Sequence, residues 1–161
     1  MRKIPWPCWF ACLTLVGIAM VAAEGRPAAA HCQVPCGIYD HHARIHQMRE
    51  DAATIAKATS SLLDLAGKAD AMSRNQAVRW INTKEEHADN IQKTVSEYFL
   101  TQVVKPADPS DKDAYAKYLQ TLADHHAVLV AAMKTKQTVD PTAVDALGAA
   151  LDKLENYYAK E

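Results

Sequence analysis

The stretch His31-Cys32-Gln33-Val34-Pro35-Cys36-Gly37-Ile38-Tyr39 carries the residue types that could do chemistry. It holds the only cysteines beyond residue 30, with a histidine directly ahead of the first. Ala28 and Ala30 supply small residues at −3 and −1 of a cleavage point, so the pattern predicts a mature chain that begins at His31. Cleavage there would crowd together a free amine, the His31 imidazole, the Cys32 backbone nitrogen and two thiolates. Thiolates suit soft or borderline metals, and planar nitrogen-rich coordination suits Ni(II) or Cu(II). A deprotonated backbone amide is a strong in-plane donor, and the terminal amine closes a five-membered chelate with it. Amine, amide and two thiolates would enforce a square plane whose anionic charge stabilises a higher oxidation state. Nickel in water is hard to oxidise, so a redox role needs such donors. The His31 imidazole is left as an axial ligand for the oxidised ion. Pro35 and Gly37 bend the stretch so that both sulfurs can reach one ion.

Plainer readings of the same residues stay open. Cys32 and Cys36 could form a disulfide in an exported protein. A structural zinc site wants four side-chain ligands, and this hook has three. The cysteine-cysteine-histidine pattern that attaches haem is absent.

The elements that must present the hook lie on either side of it. Ahead of it, Arg2 and Lys3 form a positive start and Cys8 to Ala23 is an apolar run of signal-peptide length, short for a membrane span. Residues 1–30 are therefore expected to be a leader removed on maturation by a signal peptidase, with export to a periplasmic or extracellular location. An uncleaved anchor is the alternative, as is a cytoplasmic protein if the leader is only a propeptide. Loss of the leader would move the formal net charge from −1 to −3. No basic footprint suggests nucleic acid, and no stable membrane association is expected after cleavage.

Behind the hook, residues 40–161 contain no cysteine, little glycine and many helix formers, which favours an all-α fold. Asp40 can cap a first helix, in which Ile45, Met48, Ala52, Ile55, Thr59, Leu62 and Ala66 form one face and Gly67 lies near the end. A second helix starting near Ser73 or Asn75 is expected to turn Val78, Ile81, Ala88, Ile91, Val95 and Phe99 inward and to fade by Val104. Lys105 to Ser110, with two prolines, reads as a loop. A third helix carries Tyr115, Leu119, Leu122, Leu129 and Met133 and stops near Gln137. The fourth takes Pro141 in its first turn and presents Val144, Leu147, Leu151, Leu154 and Tyr158. Four helices with short links imply an antiparallel four-helix bundle carrying an N-terminal metal-binding hook.

His31-Cys32-x-x-Pro35-Cys36-Gly37-x-Tyr39 matches, position for position, the N-terminal motif of nickel-dependent superoxide dismutases, and the chain resembles that family over residues 31–161. Val78-Arg79-Trp80-Ile81-x-x-Lys84-Glu85-Glu86-His87-Ala88 looks like the second helix of the family's marine bacterial branch. Tyr98-Phe99 agrees more loosely. The resemblance implies superoxide as substrate, conversion to oxygen and hydrogen peroxide by Ni(II)/Ni(III) cycling, one nickel ion per subunit and a homohexamer. It implies nickel ligation by the His31 amine and imidazole, the Cys32 amide and thiolate, and the Cys36 thiolate. It also implies a cis Pro35 and a Tyr39 that stands over the open face of the metal, ordering water or excluding peroxide. Gln33 departs from an acidic residue found in some members. His46 and His87 stand where some members carry a Glu and an Arg that support the axial imidazole. An exported nickel or copper carrier without turnover is the rival function.

His41-His42, His46, His87 and His125-His126 read as surface, cap or polar-network histidines. No histidine has a glutamate three positions earlier, which disfavours a ferritin-like di-iron site. Lys84-Glu85-Glu86 reads as a solvated helix face, and Trp80 as core or subunit interface.

Overall fold

The computed structural model describes residues 40–158. The chain divides into two units, Met1–His31 and Cys32–Glu161, and every described residue belongs to the second. Four helices follow in order: α1 (His41–Leu65), α2 (Ala71–Lys93), α3 (Lys112–Gln137) and α4 (Pro141–Glu155). α2 runs without a break into a π-helical segment, Thr94–Val103.

Each helix opens on an aspartate. The carboxylates of Asp40, Asp70, Asp111 and Asp140 accept from backbone N–H groups of the first turns of α1, α2, α3 and α4. Those N–H groups have no partner inside the helix, so the caps set where each one starts. The start expected near Ser73 or Asn75 moves back accordingly: Asp70 accepts from both the Ser73 N–H at 2.9 Å and the Ser73 hydroxyl at 2.6 Å. α1 ends as expected beside Gly67, whose φ of +81° lets the chain reverse where a side chain would be strained.

α1 and α3 each pack mainly on α2 and α4. Arg49, early in α1, meets Asp152 at 2.7 Å and also Glu155 at the end of α4. Lys84 in mid-α2 meets the end of α3, whereas Gln92 further along meets Leu129. Successive helices therefore run antiparallel, which is the bundle the periodicity predicts. The core is a single cluster that includes Ile45, Met48, Ile55, Ile91, Phe99, Leu147, Leu151 and Leu154.

Several inward positions need correction. Val78 and Ile81 are 56% and 44% exposed. The reason is register: Lys84 already meets the end of α3, so the part of α2 ahead of it runs beyond α3, and α4 has only 15 residues against 25 in α1 and 26 in α3. At 1.5 Å per residue, α4 is about 22 Å long and covers only part of its neighbours. The end of α1 and the start of α2 run past the α3–α4 turn as a two-helix hairpin, so Val78 and Ile81 meet no third helix. Leu119 is exposed for the same reason at the other end, where α3 runs past the end of α4. Met133 is exposed because the α3 seam is rotated toward His125, Val128, Ala132 and Thr135, all buried. Ala66 is exposed at the end of α1.

Lys84 corrects the solvated-face reading of its neighbourhood. It is 4% exposed, and its ammonium donates to the carbonyls of Thr135 (2.7 Å), Lys136 (3.2 Å) and Thr138 (2.8 Å). The last carbonyls of a helix lack intrahelical partners and carry the negative end of its dipole. Lys84 therefore caps α3 from a neighbouring helix. Burial pushes its pKa down, and the neighbouring Glu85 carboxylate opposes this.

Candidate metal centre

His31, Cys32, Cys36 and Tyr39 lie outside the described residues, as do the expected leader and Pro35. The structure instead gives the platform to which the hook is joined. Asp40 follows the hook directly and caps α1, accepting from the His42 N–H at 2.9 Å. The first turn of α1, at one end of the bundle, is thus the described element next in sequence to the hook.

That end is built from aromatic and histidine side chains. His41 Nδ1 lies 2.7 Å from the Tyr98 hydroxyl. The His41 ring also approaches Tyr158, with centroids 5.8 Å apart. Phe99, fully buried, packs against Tyr98 at 5.1 Å and Tyr158 at 4.6 Å. The Arg44 guanidinium sits 5.8 Å from the centroid of the Tyr98 ring.

The π-helical segment is what places Tyr98 and Phe99 together. Its wider turns shift the hydrogen bonding by one residue: the Val104 N–H donates to Phe99 O at 2.9 Å, five residues back. The Thr101 hydroxyl reaches Ser96 O and the Gln102 amide reaches Glu97 O with the same spacing. Both adjacent aromatics are thereby buried. An unbroken 3.6-residue period gives no sign of this register change.

Behind the rings lies a fully buried histidine. His125 Nδ1 is 2.7 Å from the Thr121 carbonyl, which can only accept, so this nitrogen carries the proton. Nε2 is then the acceptor for the Tyr158 hydroxyl at 2.9 Å. Burial lowers the His125 pKa and keeps the ring neutral, and burial likewise raises the Tyr158 pKa. At the surface, the Tyr157 hydroxyl donates to Asp124 at 2.6 Å and Gln120 donates to the same oxygen at 3.1 Å. The Tyr157 and Gln120 hydrogen bonds hold the Asp124 carboxyl below its usual range.

The remaining histidines are dispersed. His46 is exposed and 3.6 Å from Glu50, four residues on. His87 Nδ1 lies 2.6 Å from the carboxylate of Asp51, which is 3% exposed. The polar-network reading therefore holds for His41, His87 and His125. Among the described residues, no group of three or more His, Cys, Asp or Glu side chains could hold a metal ion. None of the described helices is long and apolar enough to cross a membrane.

Sequence reasoning did not single out His125 or Lys84 individually. Both interrupt apolar periodicity with a polar residue at an inward position, and that interruption was the available signal.

No curated protein and no solved structure matches the chain. The family model described as nickel-containing superoxide dismutase matches residues 26–161, a span that includes the hook and the whole bundle. The chain belongs to the nickel-containing superoxide dismutase family, and so is an oxidoreductase that uses nickel and takes superoxide as its substrate.

Proposed function

We propose that the nickel of this dismutase is held by the N-terminal hook, through the His31 amine and imidazole, the Cys32 amide and thiolate, and the Cys36 thiolate. One observation carries this reading: the only cysteines beyond residue 30 stand in the hook, and the chain from residue 40 onward has none. The donor set fits the metal. Thiolates and an anionic amide supply the negative field that brings the trivalent state within reach, whereas carboxylates or imidazoles alone do not. When bound, nickel supplies the one-electron exchange that oxidises one superoxide to oxygen and reduces the next to hydrogen peroxide.

The chain's own residues do the rest. Cleavage after Ala30 frees the His31 amine, which an intact peptide bond would withhold. The Cys32 and Cys36 sulfurs bind as thiolates, and the coordinated metal keeps them deprotonated at neutral pH. The His31 imidazole answers the added charge of the oxidised ion. The Tyr39 hydroxyl orders water and limits access of peroxide. Packing of the hook between subunits of a homohexamer would hold its donors together. The leader fits export before or during this maturation. No observation favours the carrier alternative.

The test is a variant series read by nickel content and pulse-radiolysis turnover. Cys32→Ser and Cys36→Ser should lose both planar nickel binding and turnover, because serine offers no anionic donor at neutral pH. His31→Ala keeps amine and amide, so nickel should remain while turnover falls steeply. Tyr39→Phe should keep nickel and much activity, with altered inhibition by peroxide. Full turnover with nickel bound in Cys36→Ser would refute the ligand set.

A further inference from the structure

Three tyrosines at the hook end of the bundle share one feature that packing does not require: each phenol meets a base. Tyr98 Oη is 2.7 Å from His41 Nδ1, Tyr158 Oη is 2.9 Å from His125 Nε2, and Tyr157 Oη is 2.6 Å from Asp124 Oδ2. Their rings form a continuous series. Tyr98 touches Phe99 with centroids 5.1 Å apart, Phe99 touches Tyr158 at 4.6 Å, and Tyr158 touches Tyr157 at 6.2 Å. The series grades from buried to open, with Tyr98 5% exposed and Tyr157 41% exposed. A phenol gives up an electron readily only if its proton can leave at the same time, and a hydrogen-bonded base provides for that.

We infer that Tyr98, Tyr158 and Tyr157 form a protective electron conduit, which reduces a one-electron oxidant arising at the hook and delivers the oxidising equivalent to the surface. The inference rests on the reading that the redox centre is the hook. The oxidant is hydroxyl radical, formed together with hydroxide when hydrogen peroxide, product of the established activity, takes one electron at that centre and its O–O bond breaks; one further electron turns the radical into hydroxide. Its natural victims are the two thiolates, which oxidise irreversibly beyond the sulfenic state.

The steps balance. Tyr98 gives an electron to the oxidant and its hydroxyl proton to His41 Nδ1, leaving a neutral tyrosyl radical. Tyr158 then gives an electron to Tyr98 and its proton to His125 Nε2, while Tyr98 recovers its proton from His41. Tyr157 next reduces Tyr158 and passes its own proton to Asp124, and Tyr158 recovers its proton from His125. The net change is one electron from Tyr157 to the oxidant and one proton from Tyr157 to Asp124. The neutral state of buried His125 leaves Nε2 free for this role. Phe99 bridges the rings without being oxidised itself. A soluble thiol can then reduce the exposed Tyr157 radical.

The experiment treats the purified, nickel-loaded mature protein with hydrogen peroxide in the presence of a spin trap. Electron paramagnetic resonance reads the radical, and peptide mass spectrometry reads which residue is trapped. The wild type should carry the adduct on Tyr157. Tyr158→Phe should lose that adduct and retain a radical on Tyr98, and its hook cysteines should oxidise faster. Tyr157→Phe should move the adduct to Tyr158. Tyr115→Phe, outside the chain of contacts, should change nothing. Should Tyr158→Phe not fold, His125→Gln keeps the Tyr158 ring, replaces its base with an amide, and should equally lose the Tyr157 adduct. A Tyr157 adduct unchanged in a folded variant, or no adduct on any of the three tyrosines, overturns the conduit. The nickel signal before peroxide addition scores the hook separately. If it is missing, a ruthenium photo-oxidant tethered through the hook thiols delivers the oxidant at the same end. Loss of Tyr157 trapping in Tyr158→Phe then supports the conduit, and no loss overturns it.

Discussion

Replacing Lys84 by methionine tests whether a buried ammonium closes the end of α3. Methionine keeps most of the apolar stem and removes the charge and all three donors. The carbonyls of Lys136 and Thr138 are only partly buried and can take up water, but the bond to the Thr135 carbonyl is buried. Leaving a buried acceptor unpaired costs about 1–3 kcal/mol, and the lost charged hydrogen bonds add a part that water does not restore. Relief of the ammonium's burial offsets some of this. The net expectation is about 2–3 kcal/mol, or roughly 10 °C in Tm for a chain of this size. Thermal and urea unfolding followed by circular dichroism would read it, at one protein concentration and one nickel loading, since both shift apparent stability. Lys84→Arg should recover only part, because a planar fork cannot direct three donors from one nitrogen. A Tm drop under about 2 °C for Lys84→Met would refute the capping argument.

Other outcomes follow from the same packing and charges. Burial lowers the folded-state pKa of His125, so the unfolded chain takes up that proton first; stability is full above about pH 6.5 and falls as pH drops below it. Urea midpoints across that range should show the slope, and His125→Gln should flatten it. Asp70, held down chiefly by the Ser73 hydroxyl, and Asp140, held down by the Thr142 N–H, have folded-state pKa values below their unfolded ones. Their capping contribution is present above about pH 4 and is lost as pH falls through the folded values, so Asp70→Asn with Asp140→Asn should blunt acid unfolding. Leu151→Ala empties part of the central core and should cost about 2–5 kcal/mol in urea unfolding.

The four helices were legible because Ile45, Met48, Ile55 and Thr59, and later Leu147, Leu151 and Leu154, repeat at helical spacing and are buried. Gly67, the two-proline loop and Pro141 marked ends correctly because their constraints are local. What escaped depends on tertiary lengths and registers. Val78 and Ile81 look inward on a helical wheel, and they are uncovered because they lie beyond the end of α3, which Lys84 already meets. The π-helical register that buries both Tyr98 and Phe99 has no periodic signature. Lys84 and His125 are buried through partners about fifty and thirty residues away, which one-dimensional patterning cannot reveal. The proposed ligands His31, Cys32 and Cys36 are read from donor chemistry alone, since they lie outside the described residues, which begin at Asp40.

X-ray absorption at the nickel edge of the purified mature protein reads the proposed donor set. Sulfur scatterers from Cys32 and Cys36 should share the nickel with light donors, and Cys32→Ser with Cys36→Ser should remove the sulfur contribution. Nickel surrounded by nitrogen and oxygen alone, or a sulfur contribution unchanged in the double variant, would contradict it.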